Sequence, residues 1–169
     1  MVSALVAIEH GIKGHVSAPG CTSAGSALAL GEAYRLIKHG YMDRVLVGGL
    51  DFNCDQNVIP GMDAFGALCT TFNDSPAEAC RPFDLRRAGT VLSDGGGMIM
   101  LESLDSAIQR NVKKIYAEIA GYGMTCDAFH ALKPTESGEG LIKAVQSALF
   151  EAELSPFQID AFNCHATST

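Results

Sequence analysis

Leu30, Ala33, Tyr34 and Ile37 recur at i, i+3, i+4 and i+7, which predicts a helix beginning near Ala24. His39-Gly40 closes it, a polar last turn followed by a glycine suited to the left-handed C-cap. A second stripe of Leu141, Val145, Ala148, Leu149 and Ala152 predicts a helix over 138–152. Shorter helices are expected over 2–8, 59–68 and 105–111. The continuous apolar run at 45–47, ended by two glycines, reads as a parallel strand buried on both faces. Further strands are expected at 14–18, 98–101, 115–121 and 159–164. Strand, helix, strand, strand, strand, helix, strand implies an α/β layered protein with a mixed sheet and flanking helices. About three substantial helices cannot cover so many apolar strands, so apolar surface is expected to remain for a partner to bury.

Composition narrows the function more than the fold. The 169 residues suffice for one domain, and 47% of them are apolar, ordinary for an α/β protein. No run approaches the roughly 18 apolar residues of a membrane span. The net charge of -7 argues against nucleic acid as partner. Arg81, Arg86 and Arg87 could give an acidic carrier protein a local basic patch, although loop arginines more often form internal pairs. The six cysteines include no C-x-x-C pair, which points to a reducing intracellular compartment. The start of the chain carries no readable targeting peptide, and a mitochondrial or plastid setting is compatible with it. Cys54, Cys69, Cys80 and Cys126 are expected as buried small hydrophobes, and Cys164-His165 lacks the spacing of a zinc site. After Asp94, the glycines at 95–97 lead into a strand, so they read as close backbone packing rather than a phosphate cradle. The 51–94 segment is long and mostly irregular, a length usually tied to function.

Chemistry concentrates at 12–31, IKGHVSAPGCTSAGSALALG, where a strand-like piece turns sharply into the first long helix. Free amides at a helix start favour developing negative charge, which suits a nucleophile or an oxyanion. Cys21 and Ser23 both occupy that turn.

The turn resembles the active-site turn of the β-ketoacyl-acyl-carrier-protein synthases, in which V-S-T-A-C-A-T-G-A-H-A-I-G places a Cys at a helix start. The resemblance extends over nearly the whole chain. It includes His39-Gly40 with Val47-Gly48-Gly49, Ala67-Leu68-Cys69-Thr70, Arg81-Pro82-Phe83-Asp84, Ser93-Asp94-Gly95-Gly96-Gly97 and Asp127-Ala128-Phe129-His130. The most specific piece is Asn163-Cys164-His165-Ala166-Thr167-Ser168-Thr169, similar to the family's N-A-H-G-T-S-T. A thiolase using acyl-CoA fits these stretches less well.

The resemblance implies a partial thiolase-like fold within one incomplete domain, with 1–110 the remainder of a first half and 111–169 the start of a second. It implies decarboxylative condensation of acyl groups. His165 would be one of two histidine donors to an enolate oxygen, and Thr167 and Thr169 would contact a carrier's pantetheine arm. An ungapped match anchored on Lys13-Gly14 and Gly31-Glu32 puts Ser23 at the nucleophile position. Cys21 takes that position only with a two-residue deletion before it and an insertion of equal length after it. Neither a cofactor nor a metal is implied beyond phosphopantetheine brought by the carrier. Arg87-Ala88-Gly89-Thr90 replaces the family's Arg-Asp-Gly-Phe, and Leu132 stands where a Thr would touch pantetheine. The family's second catalytic histidine follows the N-A-H-G-T-S-T motif and is not among these residues, so this chain alone is not expected to condense acyl groups. The expected partners are a second copy, a related subunit or a large complex. The alternative is a catalytically inactive accessory subunit derived from such an enzyme, in a larger complex for which the mitochondrion is one compatible setting.

Overall fold

A computed structural model describes residues 2–131 and 133–169; Leu132, one of the departures noted above, lies outside them. Its regular elements are α1 (Val2–Glu9), α2 (Gly25–Lys38), β1 (Arg44–Asp51), α3 (Val58–Ala64), β2 (Gly95–Glu102), α4 (Leu104–Gln109) and α5 (Glu139–Ala152). Short 3-10 turns at Thr22–Ala24, Pro76–Glu78 and Pro156–Gln158 complete the set. The chain forms two compact units, Met1–Gly49 with Met98–Ile159 and Leu50–Gly97 with Asp160–Thr169.

The first unit is built around α2 and α5. Ala33 of α2 is buried, and the Tyr122 ring lies over Gly31, so any side chain at position 31 would meet that ring. Tyr34 Oη donates to Ala120 O at 3.4 Å, Lys38 Nζ to Glu151 Oε1 at 2.8 Å, and Tyr122 N to Glu151 Oε2 at 2.9 Å. Gly123 meets α5 so closely that a Cβ there would strike the Ala144 carbonyl. The 120–123 segment therefore ties both long helices together. Arg35 and Lys38 stand in the last turn of α2, where cations complement the macrodipole. Gly40, at φ 72°, ends it, and the Tyr41 amide bonds back to Leu36 O.

β1 and β2 form a two-stranded sheet. Ser103 N donates to Asp43 O at 2.9 Å, so the start of β1 lies beside the end of β2, an antiparallel pairing. Glu102 joins Arg110 at 2.7 Å and Arg44 at 3.9 Å, and accepts from Ser106 Oγ at 2.8 Å. Arg110 is the first cause of a Glu102 carboxyl held below the usual range. Ser103 caps α4 by accepting from Ser106 N.

Four expectations need correction. The run at 45–47 is not a parallel strand buried on both faces: its one observed neighbour runs antiparallel, and within it only Val47 is buried. Residues 14–18, 115–121 and 159–164 form no named strand, because a strand exists only through a neighbour's hydrogen bonds and none lies beside them among the described residues. Cys54, Cys80 and Cys126 are exposed and Cys69 half-buried, since all four stand on connecting chain rather than on a packed face. Gly95 and Gly97 face open space, so close packing is not what they serve.

The expected uncovered surface is present. The buried hydrophobic residues among those described are Ala33, Val47, Ala79 and Ala107, and no large side chain is fully enclosed. Met98, Ile99 and Met100 of β2 are half-exposed. The accessible surface is 13037 Å² for 17.8 kDa, against about 8,000 Å² for a typical folded chain of that mass.

Candidate active site

The turn before α2 belongs to the first unit. Two polar side chains on its incoming segment are tied to α2: His15 Nε2 lies 3.2 Å from Glu32 Oε1, and Ser17 Oγ donates to Glu32 Oε2 at 3.0 Å. The backbone then reverses. Cys21 caps the 3-10 turn at φ -136° and ψ 43°, Thr22 takes φ 40°, and Ala24 N donates to Cys21 O at 2.9 Å. A positive φ at a β-branched residue is strained, and such strain gathers where a turn must present a particular atom. Cys21 and Ser23 are both exposed, and the Cys21 side chain makes no capping hydrogen bond. Both candidates thus stand at the start of the α2 helix, where amide donors are free. Ser26, one turn in, packs against Gly49.

Tyr122, absent from the sequence-based candidates, lies near this turn. Burial pushes its hydroxyl above the ordinary value, the Arg35 guanidinium 5.8 Å from its ring opposes the rise, and the Cys21 thiol adds to it. A lone tyrosine in an apolar stretch gives no sequence signal of this placement.

His165, Thr167 and Thr169 belong to the second unit. The His165 side chain is exposed, and the Thr167 and Thr169 hydroxyls lie 2.7 Å apart. Between them Ser168 is 3% exposed, at φ 65°. Its Oγ accepts from Arg81 N at 3.0 Å, and its carbonyl accepts from Gly89 N at 3.0 Å. Arg87 Nε donates to Thr169 O at 2.9 Å and Nη1 to Asp84 O at 3.1 Å. Gly89, at φ 131°, lies so close to Leu68 and Cys69 that no other residue fits, and Thr90 bonds Ala67 O and Cys69 N beside it. Sequence reading singled out the two threonines and missed the serine between them, whose partners stand far away in the chain.

The arginines act inside the unit. Arg81 stacks over Phe72 at 4.2 Å and reaches Glu78 at 3.1 Å; its Nη1 is buried without a hydrogen bond, 3.9 Å from Asp84. Arg86 pairs with Asp84 at 3.5 Å, and the Arg86 amide is the first cause of an Asp84 carboxyl held low. Arg81 and Arg87 are thus hydrogen-bonded within the unit. Among the described residues no group of three or more His, Cys, Asp or Glu could hold a metal ion, and no helix is long and apolar enough to cross a membrane.

A turn carrying Cys21 and Ser23 at a helix start and an N-x-H-x-T-S-T segment define a class. The N-terminal domain of the β-ketoacyl synthase family matches residues 1–107, and the C-terminal domain of that family matches 116–169. The chain belongs to the β-ketoacyl synthase family, and its architecture is a partial thiolase-like fold.

Among particular relatives, it is 42% identical over 169 residues to the mitochondrial 3-oxoacyl-[acyl-carrier-protein] synthase of Arabidopsis thaliana, covering all of this chain and 36% of that protein. It is 38% identical to 3-oxoacyl-[acyl-carrier-protein] synthase 2 of Synechocystis, covering 40% of it. A chain in the structure of a type II polyketide acyl-carrier protein with its ketosynthase superposes with TM-score 0.94 at 32% identity, over 99% of this chain and 41% of that one. A chain in the structure of a Xenorhabdus doucetiae ketosynthase with its chain length factor gives 0.84 at 28% identity, over 99% and 38%. The chain thus spans well under half the length of these relatives.

Proposed function

We propose that these residues serve a 3-oxoacyl-acyl-carrier-protein synthase of fatty acid synthesis. The observation that carries this reading is the His165 segment, with its Thr167 and Thr169 hydroxyls paired, in a chain 42% identical to a named synthase. In the reaction, the nucleophile takes the acyl group from a carrier thioester and releases the carrier thiol. A malonyl thioester then loses carbon dioxide, and the electron pair left behind forms an enolate whose oxygen accepts a hydrogen bond from His165. The enolate carbon attacks the enzyme-bound acyl carbonyl, expels the nucleophile and leaves a 3-oxoacyl thioester. Thr167 and Thr169 hold the pantetheine arm, and the acyl-carrier protein that bears it is the partner. The developing enolate oxygen calls for a second donor beside His165. The mitochondrial relative makes the mitochondrion the first compartment to test.

Ser23 at the nucleophile position favours a second reading, an accessory subunit without condensing activity. A serine oxygen needs a general base, and its ester is a poorer acyl donor than a thioester. The test is acylation by an acyl-carrier-protein thioester, read by intact mass and peptide mapping. On the first reading an acyl group appears at position 21 or 23, and Ser23→Cys strengthens it if Ser23 holds the nucleophile position. If neither position is acylated in the native protein or in Ser23→Cys, the accessory reading stands instead.

A further inference from the structure

We infer that Ser168 is a positioning residue that sets the Thr167–Thr169 hydroxyl pair, an inference that rests on the pantetheine reading of that pair. Ser168 is the one buried polar residue among those described, and it occupies the left-handed region at φ 65°, which disfavours any residue with a Cβ. Such a conformation persists only where the surroundings over-determine it. Here the surroundings are two amides from one loop: Arg81 N on the Ser168 hydroxyl and Gly89 N on the Ser168 carbonyl, each at 3.0 Å. Arg87 fixes the next carbonyl, that of Thr169.

The consequence is local and geometric. The left-handed residue bends the backbone between the two threonines while its own side chain is held inward, and the threonine hydroxyls lie 2.7 Å apart. An extended Ser168 would have its amide and carbonyl re-aimed and the Gly89 bond lost. The 81–89 loop, whose arginines suggested a carrier-binding patch, thus acts on the carrier's arm from behind, through a buried hydroxyl. Gly89 transmits this because its backbone is wedged against Leu68 and Cys69.

The test compares Ser168→Ala, which loses the acceptor and keeps the φ penalty, with Ser168→Gly, which loses the acceptor and relieves the penalty. NMR of the whole chain reads amide exchange at Arg81 and Gly89 and the χ1 couplings of Thr167 and Thr169. Both variants are expected to speed Arg81 exchange about tenfold and to average the threonine couplings, while Tyr122 signals in the other unit stay put. Unchanged threonine couplings in a folded Ser168→Gly overturn the inference, whatever its effect on stability. Pantetheine alone, titrated into the native protein and into Thr167→Val with Thr169→Val, tests the underlying reading separately. Native threonine shifts that ignore pantetheine defeat that reading, and Ser168 is still decided by the couplings.

Discussion

The segment carrying Cys21 and Ser23 and the segment carrying His165 are held by different kinds of bond. In the first unit side chains do the holding: Glu32 of α2 fixes His15 and Ser17, Glu151 of α5 fixes Lys38 and the Tyr122 amide, and the Tyr122 ring packs on Gly31 of α2. In the second, backbone groups do most of it: Gly89 N and Arg81 N on Ser168, and Thr90 on Ala67 and Cys69. A helix satisfies its own amides, leaving its side chains to make tertiary contacts. A unit with little helix must satisfy its amides through tertiary contacts, so its backbone becomes the tertiary structure.

The largest test of this contrast is Gly123→Val. It drives a branched side chain into the Ala144 carbonyl and is expected to cost the first unit about 3 kcal/mol, read from the urea midpoint. Its counterpart is Gly61→Ala in α3 of the second unit, where open space surrounds the new methyl, and stability should hold or rise by up to about 1 kcal/mol. A midpoint lowered as much by Gly61→Ala as by Gly123→Val breaks the comparison.

Next in size is Arg81→Leu, which removes the Glu78 contacts and the stack on Phe72 but leaves the backbone amide on Ser168. The expected loss is about 2 kcal/mol, with Gly89 amide protection reduced but not abolished. Full loss of that protection would mean that the side chain, not the backbone, holds the second unit.

The smallest effect is in pH. Lys38 first, and then the Tyr122 amide, hold the Glu151 carboxyl below its ordinary 4.5. A lowered carboxylate contributes stability that is complete above the unfolded value and is lost as pH falls through the folded one. The tie between α2 and α5 should therefore be intact above pH 4.5 and weaken on acidification below it. Glu151→Gln should flatten that acid limb in a stability profile. An unchanged limb would remove Glu151 from the set of ties.

How much was legible follows the same division. Both long helices could be read from their stripes because a helix's hydrogen bonds join near neighbours, and α2 and α5 fall within a residue of the expected positions. The runs at 14–18, 115–121 and 159–164 could not be resolved in the same way, since an apolar run does not say whether a partner strand lies beside it. A motif singles out His165, Thr167 and Thr169 as candidates. The motif does not single out Ser168, because its burial depends on an amide 87 residues earlier. The Glu32 tie to Ser17 spans 15 residues and leaves no periodic trace.

The order in which these bonds become available matters during synthesis. A ribosome delivers Arg81 and Gly89 long before Ser168, and a growing chain folds only with what has emerged. The helical turn at Cys21 can assemble from its own neighbourhood within moments of translation. The threonine pair waits for a loop of 87 residues to close. Until then the Arg81 and Gly89 amides have only water as acceptor, and a nascent chain stalled short of residue 168 offers a chaperone the second unit with its last backbone bonds unmade.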